Sequence, residues 1–379
     1  MNILISGGNF INKGAEAMMF ISVNECIRMF NSPHFILQLP NGLSEINTIN
    51  DMFIFSKRDG KNIEEKAKNK YSKLISLIKA YRNADIMIDV SGLELCSKLG
   101  LYPSLRYLFK IALSKWTGTK VFLMPQSYGP FDYGSGIIQK LIHILIQHYM
   151  KYPCICFARE KDGVDKLLKL SPKANVVLSS DLVLQNKEIE SFLDNDEHIN
   201  IEITNSSVGF VPNKRMYEQH GRERSLQLFT KTISTARKNG FNVYILCHAI
   251  DDIAIADEIK SSFSLDDSVI VIRRVLSCFQ YQQIVKHFDF VIASRYHSIV
   301  HAYKECVPCV AIGWAIKYKE LLSLLQQDNY LLNINDNDEI ISNIINDMAD
   351  KFKIEKKVIE QNLKIIQRNN CFDSIKKYI

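Results

Sequence analysis

Residues 291–319 read VIASRYHSIVHAYKECVPCVAIGWAIKYK, and this stretch decides the fold. It completes an apolar run, 288–293, that stops at Ser294. A helical pattern follows over 297–305, and a second apolar run, 307–312, ends at Gly313. Short, uninterrupted apolar runs joined by an amphipathic segment read as buried parallel strands with a crossover helix. Ligands in such sheets bind beyond the carboxyl ends of the strands. Arg295 and His297 stand at one such end, where a helix opens, and Lys317 follows the next. Opening N–H groups and the helix dipole favour an anion there. Arginine adds a planar fork for carboxylate or phosphate, and histidine a group that exchanges protons near neutral pH. One such residue alone reads as a helix cap. Three basic groups at two adjacent strand ends point to a polyanion.

The same alternation runs outward in both directions. Strands are expected at 2–6, 34–39, 84–90, 119–124, 155–158 and 176–179, with helices at 14–30, 61–82, 102–116, 137–150 and 161–170. Gln139, His143 and Gln147 are assigned to the wet face of the helix at 137–150. The acidic stretch NKEIESFLDNDEHI, 186–199, reads as a linker, after which the pattern restarts at 207–211, 242–247 and 268–272. Helices are expected there at 219–238, 251–262 and 281–287. The expected class is α/β, with two Rossmann-like domains facing across a cleft in a GT-B-like glycosyltransferase architecture. The domains are 1–185 on the acceptor side and 200–335 on the donor side, followed by C-terminal helices, 336–379, packing back.

Composition supports two globular cores. The 379 residues are 47% hydrophobic and 10% aromatic. A net charge of +6, from 47 basic and 41 acidic residues, suits an anionic ligand or membrane surface. No dense basic run supports a nucleic-acid partner. Nine scattered cysteines read as reduced thiols of a cytoplasmic protein. Cys306 and Cys309 straddle a helix end and a strand start, which is the wrong place for a redox pair. No second pair completes a zinc site. The opening MNILISGGNF lacks the pattern of a signal peptide, and residues 136–152 are too interrupted to span a membrane. The helix at 102–116 carries Arg106, Lys110 and Lys115 beside aromatics, the makings of peripheral contact with an anionic inner-membrane surface.

Several segments together resemble the polysaccharide pyruvyl transferases. SRYHSIVHA (294–302), VPCVAIG (307–313) and Lys317 resemble the family's C-terminal signature. GGNFINKGAEA (7–17), MPQSYGP (124–130), FAREKD (157–162) and Ser180-Asp181 follow in the family's order. Two departures fall in the N-terminal half: Ala15 stands where the family has Asp, and its triple-glycine turn is reduced to Ser91-Gly92-Leu93.

The resemblance implies phosphoenolpyruvate as the donor co-substrate, with no cofactor and no metal. It implies a sugar or lipid-linked glycan acceptor and a cyclic pyruvate ketal as product, made for an exopolysaccharide or capsule. Arg159, Arg295, His297, Ser298 and Lys317 are then donor-binding. His297 and Arg295 carry the chemistry, with Glu16 as acceptor-side base. Asn9, Asn12, Gln126, Tyr128 and His248 are acceptor-binding candidates, each on a loop after a strand, where Asp252 also lies as a helix cap. His297 and His301 have i, i+4 spacing but lack the Glu of a zinc helix. Two other readings stay open. One is a nucleotide-sugar-dependent GT-B glycosyltransferase, for which Glu320 is the acidic candidate to hold a ribose. The other is a non-catalytic binding module of a glycan pathway, favoured by the two departures.

Overall fold

Apolar runs bounded by amphipathic segments bury both faces only as a sheet covered by helices. A computed structural model of the chain, describing residues 1–40, 42–59, 70–187, 201–313 and 315–379, has this construction twice. One compact unit comprises Met1–Phe10, Ala15–Gln185 and Asn369–Ile379; the other comprises Ile11–Gly14 and Asn186–Arg368. Most of the expected 186–199 linker lies outside the described residues.

The first unit holds β1 (Asn2–Ser6), β2 (His34–Leu39), β3 (Gly42–Ile46), β4 (Ile86–Asp89), β5 (Lys120–Gln126), β6 (Ile155–Ala158) and β7 (Val176–Leu178). Their order is β3-β2-β1-β4-β5-β6-β7. All pairings are parallel except β2 with β3, a half-polar edge strand that its sequence did not announce. The helices are α1 (Lys13–Met29), α2 (Ile49–Asp59), α3 (Lys70–Asn83), α4 (Leu101–Thr117), α5 (Ile137–Tyr149), α6 (Lys161–Leu170) and α7 (Leu182–Gln185). Of the helix expected at 61–82, residues 61–69 lie outside the described residues.

The second unit holds β8 (Ser207–Val211), β9 (Asn242–Leu246), β10 (Val269–Ile272), β11 (Phe290–Ala293), β12 (Cys309–Ile312) and β13 (Leu331–Leu332), in the order β10-β9-β8-β11-β12-β13. Every pairing is parallel. The helix expected at 219–238 is two, α8 (Lys214–His220) and α9 (Arg222–Lys238), interrupted at Gly221. α10 (Ile253–Ser261), α11 (Cys278–Val285), α12 (Tyr296–Lys304), α13 (Ile316–Leu324) and α14 (Asp338–Ile366) complete it, with α14 packed on α9. The last helix, α15 (Cys371–Ile375), belongs to the first unit, where the Cys371 N–H donates to Gln185 Oε1 at 2.9 Å. The C-terminal helices are therefore shared between the two units.

Strand order reverses between β1 and β4 in one sheet and between β8 and β11 in the other. Those reversals are the switch points where open α/β sheets bind ligands. At the first, Gly7 has φ 83°, and a Cβ there would lie 2.2 Å from Ser91 Oγ. Only glycine lets the two strand ends approach this closely.

Two helix faces differ from expectation. Lys110 on α4 is buried, donating to Asp89 at 2.6 Å and Glu94 at 2.9 Å. Arg106 adds a 2.7 Å bond to Glu94. Burial pushes the Glu94 carboxyl up, but Lys110 and Arg106 outweigh it and hold the group below its usual range. On α5, Gln139 accepts from the Tyr133 N–H at 2.6 Å, and His143 Nε2 lies 2.8 Å from the Phe131 carbonyl. These two polar side chains satisfy the preceding loop, so Ile137, Ile138, Leu141 and Ile144 face solvent, together with Gln147 as expected. Lys110→Met leaves buried Asp89 without its cation and Glu94 with Arg106 alone. It is expected to cost about 3–5 kcal/mol, read as a lower urea midpoint at unchanged slope.

Candidate functional site at the second switch point

Ser294 directly follows β11, and its N–H and hydroxyl each lie 3.0 Å from the Val211 carbonyl at the end of β8. Asn213 donates to the Ser294 carbonyl at 3.0 Å, and the Tyr318 hydroxyl donates to it at 3.1 Å. These bonds fix the two strand ends from which the site is built.

Arg295 is the N-cap residue of α12, in extended conformation. Its Nε donates to Asp252 Oδ2 at 2.7 Å and its Nη2 to Oδ1 at 2.6 Å. The fork expected to grip a ligand is held by Asp252, and Nη1 is the nitrogen that Asp252 does not engage. Asp252 is fully buried and also accepts from the Ala249 N–H at 3.0 Å. It does cap its local turn, and it aims Arg295 as well.

His248, just past β9, is buried with its ring edge-on to Tyr281 at 5.3 Å. Neither ring nitrogen has a hydrogen-bond partner among the described residues. Burial, then Arg295, His301, His297 and Lys13, hold its pKa well below the ordinary value. The ring is neutral at pH 7 and offers one donor and one acceptor. His301 is buried nearby, its Nδ1 2.8 Å from Gln282 Nε2.

His297 is half-buried on the first turn of α12. Gly14 packs on its imidazole so closely that a Cβ would lie 2.0 Å from the ring Cγ. Lys317, at the neighbouring β12 end, has Nζ 5.2 Å from the Tyr296 ring centre and 5.6 Å from that of Tyr318. Ser298 is buried within α12. Arg295, His297 and His248 share one electropositive neighbourhood, with Lys13 and Gly14 from the opening of α1.

The remaining candidates lie in the first unit, apart from Asn12, which belongs to the second. Arg159 is buried, donating to Asp181 at 2.8 Å and to the Gly92 carbonyl and Ser127 Oγ at 2.9 Å each. Ser127 in turn donates to Glu160 at 2.8 Å. Glu16 is buried in the first turn of α1. Asn9 is half-buried, and Asn12 is exposed with its Oδ1 accepting from the Gly14 N–H at 3.0 Å. Gln126 is buried at the end of β5. Tyr128 departs from expectation and sits in the hydrophobic core. Its neighbour Ser127 turns toward Arg159, and adjacent side chains on an extended segment point opposite ways.

Asp252 as partner of Arg295 was not legible, because a contact across 43 positions leaves no local pattern. Among the described residues no group of three His, Cys, Asp or Glu side chains is placed to hold a metal ion. Cys306 and Cys309 are free thiols.

The sequence matches the family model for polysaccharide pyruvyl transferase over residues 38–315. No curated protein sequence matches the chain significantly. Among solved structures, Anabaena Alr3699/HepE in complex with UDP-glucose is similar at TM-score 0.59 and 10% identity, covering 98% of this chain and 95% of that one. UDP-GlcNAc 2-epimerase from Methanocaldococcus jannaschii, in complex with UDP-GlcNAc and UDP, is similar at TM-score 0.56 and 11% identity, covering 97% and 100%. The Neisseria meningitidis UDP-GlcNAc 2-epimerase bound to UDP-GlcNAc gives TM-score 0.56 at 11% identity, covering 97% and 98%. These similarities bear on fold, and the expected class of two parallel α/β sheets of GT-B type holds.

Two outcomes follow from the geometry. Gly14→Ala forces the His297 ring aside, so isothermal titration with inorganic phosphate should show binding weakened on the order of tenfold, about 1.4 kcal/mol, with the circular dichroism spectrum unchanged. His248 has a lower pKa folded than unfolded, where it is about 6.5. Its stabilising contribution is complete above that pH and is lost on acidification, because the unfolded chain takes up the proton more readily. Urea midpoints should therefore fall between pH 7.5 and 5.5, by up to about 1.4 kcal/mol per pH unit, and His248→Phe should flatten the decline.

Proposed function

The chain belongs to the polysaccharide pyruvyl transferase family, and from that premise we propose that it transfers a pyruvyl group from phosphoenolpyruvate to two hydroxyls of a sugar. One observation carries the reading. Arg295 is locked by a buried carboxylate at the switch point, with His297 two residues on and neutral His248 beside it. Phosphoenolpyruvate carries its carboxylate and its phosphate on one carbon, and fixed cations at a helix opening match that pair.

The chemistry asks for a proton donor, a proton acceptor and constant positive charge. An acid delivers a proton to the enol methylene, which becomes the methyl group. The adjoining carbon becomes an oxocarbenium-like centre, and a sugar hydroxyl attacks it. Phosphate leaves with the C–O electron pair, and a second hydroxyl closes the ketal. Of the two hydroxyl protons, one balances that given to the methyl group and one leaves with phosphate. His297 is assigned the proton transfer to carbon. Arg295 Nη1 and Lys317 are assigned to the charge of donor and leaving phosphate, with the α12 opening and Ser298 alongside. Neutral His248 is assigned a hydrogen bond to the acceptor.

Glu16 remains the proposed acceptor-side base, with Asn9, Asn12 and Gln126 as acceptor contacts. Arg159 is assigned chiefly to fixing the first unit's strand ends, because its guanidinium is held by Asp181, Ser127 and Gly92. The acceptor is proposed to be a lipid-linked glycan, the form in which such sugars meet a cytoplasmic enzyme.

Thermal unfolding against phosphoenolpyruvate, phosphate, UDP and UDP-sugars tests the reading. Phosphoenolpyruvate at 100 times its dissociation constant should add about 2.7 kcal/mol, and Arg295→Ala should abolish the gain. Stabilisation by UDP or UDP-sugars alone would overturn the reading in favour of a nucleotide-sugar enzyme. Phosphoenolpyruvate binding without phosphate release on adding any glycan acceptor would leave a binding module.

A further inference from the structure

α4 joins β4 to β5 and α5 joins β5 to β6, successive steps in one direction across the first sheet. Right-handed crossovers place both helices on the same face of that sheet. Their last turns meet where Lys115 Nζ lies 3.1 Å from His148 Nε2. The outward sides of both helices are apolar. On α4, Tyr102 (74% exposed), Leu105, Phe109 and Trp116 (69%) form a stripe at helical spacing. On α5, Ile137 (73%), Ile138, Leu141 and Ile144 (59%) form a second. Scattered exposed apolar residues need no explanation, whereas two adjacent stripes do.

Charge identifies what covers them. Neither helix contains an Asp or Glu. Residues 97–151 hold seven Lys or Arg and one acidic residue, and six of the seven bases are exposed, Lys110 being buried with Asp89 and Glu94. Lys98, Arg106, Lys115, Lys140 and Lys151 are all exposed. A protein partner of like composition would be repelled. An anionic lipid surface supplies both the apolar phase and the negative charge, and Trp and Tyr favour its boundary. Among the described residues no helix is long and apolar enough to cross a membrane. We propose that α4 and α5 form a docking surface that lies in the interface of an anionic bilayer, held by its two apolar stripes and the basic residues around them.

Lipid binding is read without substrate, so it stands or falls separately from pyruvyl transfer. The full chain is sedimented with phosphatidylcholine vesicles, with and without phosphatidylglycerol, at low and high salt. Binding is expected only to the anionic vesicles and should weaken with salt. Lys115→Gln with Lys140→Gln should weaken it on the order of thirtyfold. Phe109→Ser with Leu141→Ser should weaken it at least about tenfold. All four side chains are exposed, so melting temperatures should stay unchanged and separate lost docking from lost folding. No binding of the native chain to anionic vesicles at low salt would overturn the proposal. So would a dimer by light scattering that the Phe109→Ser, Leu141→Ser chain no longer forms, since a second copy would then cover the face.

Discussion

A carboxylate cut off from water must find a cation or give up its charge. Asp252 meets this demand with both oxygens on Arg295, and the second unit's site depends on that pair. A free arginine at a helix opening would sample many rotamers. Locked by Asp252, it presents a fixed positive edge at the switch point. After burial itself, the same charge helps hold His248 neutral, so one ion pair sets both a fixed cation and the uncharged donor of the site.

The first unit repeats the device. Asp89 pairs with Lys110 at the end of β4, and Asp181 pairs with Arg159 between the ends of β6 and β7. Arg159 also reaches the Gly92 carbonyl and Ser127, which joins four strand ends around one guanidinium. Buried pairs of this kind contribute little net stability against apolar replacements. Their effect is geometric, because the directional bonds allow one arrangement of the loops that follow the strands.

Lys110 and Phe109 are neighbours on α4, and each faces opposite to what its chemistry alone suggests. The charge goes inward because Asp89 and Glu94 wait there. The ring goes outward because the inward stripe is already filled by Tyr107, Leu108 and Ile111. On α5, Gln139 and His143 turn in to satisfy the 131–133 loop, leaving Ile137, Leu141 and Ile144 outside. The outer surface of these helices is a consequence of polar demands beneath them.

Strands read directly from the sequence where a short apolar run met a turn residue, and β1, β2, β6 and β8 match their expected bounds. The edge strand β3 and the break at Gly221 did not, since a half-polar strand and an interrupted helix have weak periodicity. The placing of Arg295, His297 and Lys317 at adjacent strand ends was equally legible, because topology follows from local pattern. The sequence by itself determined the fold class and the cationic character of one switch point, both set by residues near one another in the chain. Tertiary structure alone decided that Asp252 holds the Arg295 fork, that Gly14 lies against His297, and that Tyr128 and Lys110 face inward. Those are contacts between distant segments, and their energy exists only once burial has removed the water that would otherwise solvate each group.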